Sequence, residues 1–166
     1  MARLDLTAER LRGVLDYSLD TGIFTWKVAP TSRHKIGSVA GSKMTKGYIQ
    51  IMIAGHNYTA HRLAWLHVTG AWPSDQVDHI DTNKAHNAWL NLRPATDAQN
   101  KQNRICGNAA NKSGYLGVCW HKAAHKWMAQ IKKGRKPVYL GLFDDAETAY
   151  AEYLRAKRAM HPFGNL

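Results

Sequence analysis

Four polar residues in the middle of the chain are of the types that phosphodiester hydrolysis requires: Asp78, His79, Asn91 and Asn100. Such hydrolysis needs an activated water molecule, and it needs stabilisation of the charge on the phosphate and on the leaving 3′ oxygen. The imidazole of His79 suits the first task, because a pKa of about 6.5 lets it accept a proton at neutral pH. The carboxylate of Asp78 and the amide oxygen of Asn100 are hard oxygen ligands that suit Mg²⁺.

The sequence predicts a β–loop–β–α unit that would position these side chains. Its elements are strands at 77–80 and 92–93, and a helix that Thr96 opens as N-cap with Gln99 at the capping-box position. Adjacent strand residues point to opposite faces, so Asp78 and His79 can perform different tasks. If the helix packs across the two strands, Asn100 on its first turn comes close to Asp78.

Around this unit the chain divides into segments of different character. Residues 1–70 are predicted as an α+β extension, 71–104 as the core with the candidate chemistry, 105–113 as a linker and 114–166 as a second module. In the extension, Thr7 is predicted to cap a helix whose apolar face continues through Leu15 toward Tyr17. A strand at 24–28, a hairpin over 48–60 and a helix over 61–69, stopped by Gly70, follow.

The charge favours a polyanionic partner. Lys and Arg number 23 against 12 Asp and Glu, which gives a formal net charge of +11. Nine of the cations lie between Ala98 and Phe143, where there is no acidic residue. Contacts of such cations with phosphates would supply salt-dependent affinity, although a solvated basic face would have the same composition.

Other features bear on the cellular compartment. The chain has no apolar run of 18 residues, and its N-terminus becomes polar too early for a secretory signal. Cys106 and Cys119 form neither a zinc-type pair nor a disulfide framework, and we expect both to be reduced thiols. These observations favour a cytoplasmic protein with no membrane partner.

The last third of the chain predicts a three-stranded antiparallel sheet backed by one helix. The strands are predicted at 115–120, 126–131 and 137–142, and Asp144 is the predicted cap of the helix. Cations alternate with aromatic residues here, so the candidate DNA-contacting residues are Trp120, Lys122, Lys126, Trp127, Gln130, Lys132, Lys133, Arg135 and Tyr139. By alternation about half of the side chains on these strands should instead pack on the helix.

Residues 77–84, together with Asn87, 91–96 and 99–100, resemble the HNH endonuclease motif of the phage and intron-encoded branch, in which Asn replaces the last His. The lead-in 61–65, with Gly70 and Pro73, fits the same branch. The resemblance implies an α+β fold with a ββα-metal (His-Me finger) core.

The same resemblance assigns roles to individual residues. It makes His79 the general base, and Asp78 with Asn100 the ligands of Mg²⁺, for which Mn²⁺ could substitute. It makes Asn91 the residue that ties down the loop and helps to orient His79, with Asn87 as an assistant. His86 departs from the motif and is either an extra ligand or, as we favour, a surface residue. His61 could approach the site, but a histidine at a helix start more often has a structural role.

The C-terminal module resembles the ethylene-response-factor (APETALA-type) DNA-binding domain. The matching residues are 113–115, 117–120, 126–131, 139–144 and 146–150. Cys119 and Leu116 stand where the plant proteins have DNA-contacting residues, so a sequence preference cannot be transferred. The resemblance implies a sheet that enters the major groove of DNA.

Together these features predict a metal-dependent DNA endonuclease, of homing type or a phage nicking enzyme. Its partner would be double-stranded DNA, with no organic cofactor, and the chain would act as a monomer or weak dimer. The main alternative is a non-catalytic DNA-binding regulatory or architectural protein that retains the HNH core as scaffold. An RNA-binding protein is a further alternative.

Overall fold

A computed structural model of the chain describes residues 6–103, 111, 113–134, 136–161 and 163. It divides into two compact units, Met1–Thr96 and Asp97–Leu166, which are described separately below. The predicted linker at 105–113 lies mostly outside the described residues, as does Cys106. None of the helices in the described ranges is long and apolar enough to cross a membrane.

The first unit contains two α-helices and three small antiparallel sheets. Its elements are α1 (Ala8–Val14), β1 (Leu15–Tyr17), β2 (Phe24–Trp26), β3 (Ser42–Lys43), β4 (Ile49–Ile53), β5 (His56–Thr59), α2 (Ala60–Thr69), β6 (Gln76–His79), a 3₁₀ turn at Trp89–Asn91 and β7 (Leu92–Ala95). Strand β1 pairs with β2, β4 lies between β3 and β5, and β6 pairs with β7. The predicted hairpin and the two predicted strands of the β–loop–β unit are confirmed.

Helix α1 begins as predicted but ends earlier. The hydroxyl of Thr7 accepts a hydrogen bond from the backbone N–H of Arg10 and caps the first turn. The predicted continuation of the helix through Leu15 toward Tyr17 is wrong, because these residues form β1 and pair with β2. The extended backbone keeps Leu15 fully buried, opposite Trp26 in the strand register, while Asp16 points to solvent.

One hydrophobic core holds the first unit together. It joins apolar side chains from α1, β1, β2, β4 and α2 with Val77 of β6 and Leu92 of β7. Helix α2 crosses this core through Leu63, Ala64 and Leu66, and it ends as predicted at Gly70 in the left-handed conformation. Strand β6, which contains both Asp78 and His79, and its partner β7 are therefore anchored on the same core as the N-terminal residues.

The second unit contains a three-stranded antiparallel sheet and two helices. Its elements are α3 (Asp97–Gln102), β8 (Val118–His121), β9 (Lys126–Lys133), β10 (Lys136–Phe143) and α4 (Ala146–Met160). Strand β9 lies in the middle of the sheet. Buried residues of the sheet, Val118, Ala129 and Ile131, belong to the same two apolar clusters as Ala149, Tyr153 and Ala156 of α4. The predicted sheet backed by one helix is confirmed.

The cap of α4 differs by one residue from the prediction. Asp145, not Asp144, is the N-cap, and its carboxylate accepts hydrogen bonds from the backbone N–H and the hydroxyl of Thr148. Asp144 instead forms an ion pair with Lys126, with 2.9 Å between Nζ and Oδ1. Both aspartates precede a helical pattern, and only the backbone geometry decides which carboxylate reaches the third N–H of the helix.

Replacing Thr7 with Ala should destabilise the first unit. The substitution removes the cap of α1 and should lower the free energy of unfolding by about 1 kcal/mol. Thr45→Ala, at an exposed turn position, should change it by less than about 0.5 kcal/mol. Urea denaturation followed by tryptophan fluorescence measures both variants, and equal midpoints would show that the cap contributes nothing.

Candidate active site

Asp78 and His79 lie side by side on β6, in the ribbon that β6 forms with β7. Asp78 is opposite Arg93, and His79 is opposite Leu92. Both side chains are buried, although each is polar. A buried carboxylate and a buried imidazole are costly unless other groups pair with them, so their partners explain the local structure.

Asn87 is a hydrogen-bond partner of His79. The amide oxygen of Asn87 lies 3.1 Å from Nε2 of His79, and the amide nitrogen of Asn87 donates to the carbonyl of Ala85 at 3.0 Å. Because the Ala85 carbonyl can only accept, it fixes which end of the Asn87 amide faces the imidazole. An amide oxygen also only accepts, so Nε2 of His79 must carry a hydrogen. In neutral His79 the lone pair is therefore on Nδ1.

The environment of His79 favours the neutral imidazole. Burial lowers the pKa of His79, while the hydrogen bond to Asn87 and the charge of Asp78 act in the opposite direction without cancelling the effect. A lowered pKa leaves the ring uncharged at neutral pH. The site thus presents a proton acceptor with a defined tautomer beside a carboxylate.

Asn91 holds the loop between β6 and β7. Its amide nitrogen donates to Oδ1 of Asp81 at 2.9 Å and to the carbonyl of His86 at 2.7 Å. Its amide oxygen accepts from the backbone N–H of Asp81 at 3.0 Å. The resemblance to the HNH motif predicts that Asn91 both ties down the loop and helps to orient His79. In the structure Asn91 ties down the loop, whereas the hydrogen bond to His79 comes from Asn87.

His86 is an exposed residue of the same loop. Its Nδ1 lies 2.6 Å from Oδ2 of Asp81, and both side chains are well exposed to solvent. This contact with Asp81 is consistent with the predicted role of His86 as a surface residue of the loop. The structure gives no support to the alternative in which His86 is an extra metal ligand.

Arg93 pairs with Asp78, which sequence reasoning did not anticipate. Oδ2 of Asp78 accepts from Nε and Nη2 of Arg93 at 3.2 and 3.1 Å. The signal that could have identified the pair is the strand register, which places these two residues opposite each other. The two hydrogen bonds from the guanidinium orient the carboxylate of Asp78 within the site.

The donors at this site suit a hard divalent cation. Asp78 offers a carboxylate, and the predicted second ligand, Asn100 on α3, would offer a neutral amide oxygen. Asn100 belongs to the second unit, so its pairing with Asp78 stays a prediction. Over the described residues there is no group of three or more His, Cys, Asp or Glu of the kind that zinc requires.

The N-terminal hairpin of β1 and β2 supports the segment that contains Asn87. The hydroxyl of Tyr17 donates to the carbonyl of Asn87 at 2.7 Å, and the backbone N–H of Trp89 donates to the carbonyl of Leu19 at 2.8 Å. Gly22 has a φ of +71°, and a Cβ there would lie 2.1 Å from the carbonyl carbon of Asn87. The hairpin can therefore approach Asn87 this closely only with glycine at this position.

Two further rings surround His79. The ring of His61, at the start of α2, lies 5.1 Å from that of His79, and the ring of Tyr48 lies 5.2 Å from His61 and 6.0 Å from His79. The ammonium of Lys84 lies 5.0 Å from the centre of the Tyr48 ring. Sequence reasoning favoured a structural role for His61 and did not mention Tyr48 at the site.

In the second unit, four of the predicted DNA-contacting residues share the face of the sheet opposite α4, which we call the outer face: Lys126, Gln130, Lys132 and Tyr139. Ala129 and Ile131, which alternate with them on β9, are buried toward α4. Tyr139 is opposite Gln130 in the register and is largely exposed. This face presents two cations, an amide and an aromatic ring to solvent.

The remaining predicted DNA-contacting residues lie elsewhere. Trp127 alternates to the α4 side and is a partly buried residue packed against the apolar cluster there, and its contact with DNA stays a prediction. Trp120 packs on Trp127 at 5.2 Å and stays half exposed. Lys122 lies in the turn after β8, Lys133 ends β9, and Arg135 is outside the described residues.

Comparison with known proteins bears on the region around the site. Residues 58–102 match the family model described as HNH endonuclease, and this stretch contains Asp78, His79, Asn91 and Asn100. Residues 58–102 of this chain are thus similar to HNH endonucleases. The match covers about a quarter of the chain, and it begins within β5 and ends with α3.

Among solved structures, the chain is similar to one described as "DNA binding and cleavage by the HNH homing endonuclease I-HmuI". The two are 28% identical, with a TM-score of 0.42, and the match covers 55% of this chain. The matched region spans 51%, about half, of the length of that protein. No curated protein matches the chain significantly. The ethylene-response-factor resemblance of the second unit is found in none of these comparisons.

Replacing Gly22 with Ala should disturb the segment that contains Asn87, although Gly22 lies far from it in sequence. The added Cβ would collide with the backbone of Asn87 and would hold a left-handed conformation, so the variant should lose more than about 1 kcal/mol of stability. Gly13→Ala is the matched control, because Gly13 lies in α1 with open space around it and should gain up to about 1 kcal/mol. Thermal denaturation measures both, and unchanged stability of Gly22→Ala would contradict the close approach.

Proposed function

We propose that this chain is a metal-dependent DNA endonuclease that hydrolyses phosphodiester bonds, as a homing-type or phage nicking enzyme. The observation that carries the proposal is the arrangement at His79, which is buried next to the carboxylate of Asp78 and held by Asn87 in one tautomer. A general base for the attacking water needs a lone pair at a defined position, and these contacts would leave one on Nδ1.

In the proposed mechanism His79 acts through Nδ1. Nδ1 accepts a proton from the water that attacks the scissile phosphate, and the resulting imidazolium remains hydrogen-bonded through Nε2 to the amide oxygen of Asn87. The carboxylate of Asp78, on the same strand, balances the positive charge that His79 acquires. Asn91 keeps the connecting loop in place while the charge moves, because its side chain fixes both Asp81 and His86.

Asp78 and Asn100 would hold the metal, which we propose to be Mg²⁺ with Mn²⁺ as a substitute. When bound, such an ion stabilises negative charge on the phosphate and on the departing 3′ oxygen. Arg93 serves the same site by orienting the carboxylate of Asp78. The hard oxygen donors of this pair support Mg²⁺ over softer ions.

We propose that the outer face of the second unit binds double-stranded DNA. Lys126 and Lys132 would contact phosphates, and Gln130 with Tyr139 would reach sugars or base edges from adjacent strands. Along the described part of β8, β9 and β10 every charged residue is a cation, with His121 set aside because its charge depends on pH. As a monomer with one site, the enzyme would nick one strand, whereas a dimer could cut both.

Replacing His79 with Ala should abolish cleavage and leave DNA affinity within about twofold of the wild type. The measurement is conversion of supercoiled plasmid to open-circular or linear DNA with Mg²⁺, with EDTA present in a parallel reaction. His56→Ala, in the turn-proximal part of β5, is the matched control and should cleave at the wild-type rate. Cleavage by His79→Ala at the wild-type rate would refute the mechanism, and so would cleavage in EDTA.

Replacing Lys132 with Ala should weaken DNA binding at every sequence and reduce its dependence on salt. Losing one phosphate contact should lower the slope of log Kobs against log salt by about 0.9. Lys27→Ala removes a cation that is paired with Asp16 in the first unit, and it should leave the slope unchanged. Titrations by fluorescence anisotropy at several salt concentrations measure this slope for each variant. An unchanged slope for Lys132→Ala would contradict the outer face as the DNA-binding surface.

A further inference from the structure

His61 is a buried polar residue that the mechanism above does not use. It is the second residue of α2, its side chain is 8% exposed, and its ring meets that of His79 nearly at right angles with 5.1 Å between the centroids. Tyr48 lies against both imidazoles, so the three rings form one cluster. We call Tyr48, His61 and His79 the ring cluster.

The hydrogen bonding of His61 is poor for a buried histidine. Its Nδ1 is inaccessible to solvent and has no hydrogen-bond partner among the described residues, and its Nε2 lies only at the limit of contact, 3.5 Å from Oγ1 of Thr59. An apolar ring would fill the same space without an unsatisfied polar atom. A contribution to stability therefore does not explain why position 61 is a histidine. The contact of its ring with His79 offers an explanation instead.

His61 also remains uncharged next to the base. Burial lowers the pKa of His61 to about 3, and the charges of His79 and Arg62 act in the same direction. A neutral ring does not oppose the positive charge that His79 would acquire. The neutral His61 ring can thus stay in contact with His79 whether His79 is neutral or protonated.

The hydrogen bond to Asn87 does not by itself fix the plane of the His79 imidazole. The contact fixes Nε2 of His79, while χ2 of histidine is a broad torsion that leaves the ring able to tilt about that point. Nδ1 would move with the tilt, and displacement of a reacting atom by about 1 Å can cost about 100-fold in rate. Packing against the ring faces supplies a further constraint.

We propose that His61 is a positioning residue for the nuclease reaction: its buried ring, with Tyr48, fixes the plane of His79 so that Nδ1 points at the attacking water. This role rests on the proposed function of His79 as general base. It extends the site from Asp78, His79, Asn91 and Asn100 to the first turn of α2. The expected signature is a loss in the rate of the chemical step that is separate from any loss in DNA binding.

The test compares His61→Ala, His61→Phe and the control His56→Ala. His61→Ala removes the ring and should lower kcat by about tenfold or more, with KM and DNA affinity within about twofold of the wild type. His61→Phe keeps a neutral ring in the cluster and should restore kcat to within about threefold of the wild type. Because it removes the unpaired Nδ1, it should unfold at the wild-type temperature or above it.

Three outcomes would overturn the proposal. The first is a kcat of His61→Ala within about twofold of the wild type. The second is a loss of kcat in both His61→Ala and His61→Phe that parallels a loss of stability, so that the phenylalanine ring does not restore the rate. The third is an effect on KM and DNA affinity alone, which would make His61 a residue of the DNA surface.

A second readout separates this proposal from the proposed function. ¹⁵N-edited NMR of the imidazoles reports the environment of the His79 ring without any cleavage. If the wild type cleaves no DNA, the nuclease proposal fails. A His79 resonance that broadens or shifts in His61→Ala and returns in His61→Phe would still show that His61 holds the ring, and an unmoved resonance would show that it does not.

Discussion

The hydrogen bond between Asn87 and His79 is the interaction on which the rest of the site depends. It decides which imidazole nitrogen carries the hydrogen, and the contact of Asn87 with the Ala85 carbonyl decides which end of the amide makes the bond. A hydrogen bond of this kind contributes only about 1 kcal/mol to stability. Its importance in the proposed mechanism is chemical, because the other tautomer would place the lone pair of His79 on Nε2, where Asn87 lies, instead of on Nδ1.

Residues far from the HNH motif in sequence maintain that hydrogen bond. Tyr17 binds the carbonyl of Asn87, and Gly22 leaves the space in which the Asn87 backbone lies. The apolar core that anchors β6 and β7 is built mainly from the preceding elements of the first unit. The N-terminal elements are therefore part of the scaffold of the site, and their packing energy is what keeps a buried carboxylate and imidazole in place.

Much of this could be predicted from sequence, for reasons that are local. The caps at Thr7 and Gly70, the alternation of β9 and the β–loop–β unit follow from short patterns, and the structure confirms them. Three features could not be predicted from local sequence patterns. The end of α1 at Val14 depends on pairing with β2, the Arg93–Asp78 pair depends on strand register, and the approach of His61 to His79 depends on how α2 crosses the core. The different contacts of Asn87 and Asn91 also depend on tertiary structure. Both side-chain amides follow β6 within a few residues of each other, and only the folded conformation of this segment brings Asn87 to Nε2 of His79.

The central claim is that His79 is held as a neutral base with its lone pair on Nδ1. The most direct test is the tautomer of His79, measured at neutral pH by long-range ¹H–¹⁵N correlation on the wild type and on Asn87→Ala. The account predicts an Nε2–H tautomer in the wild type and a mixture of tautomers in the variant, because the amide oxygen of Asn87 imposes the choice. An Nδ1–H tautomer, or a protonated ring, in the wild type at neutral pH would contradict it.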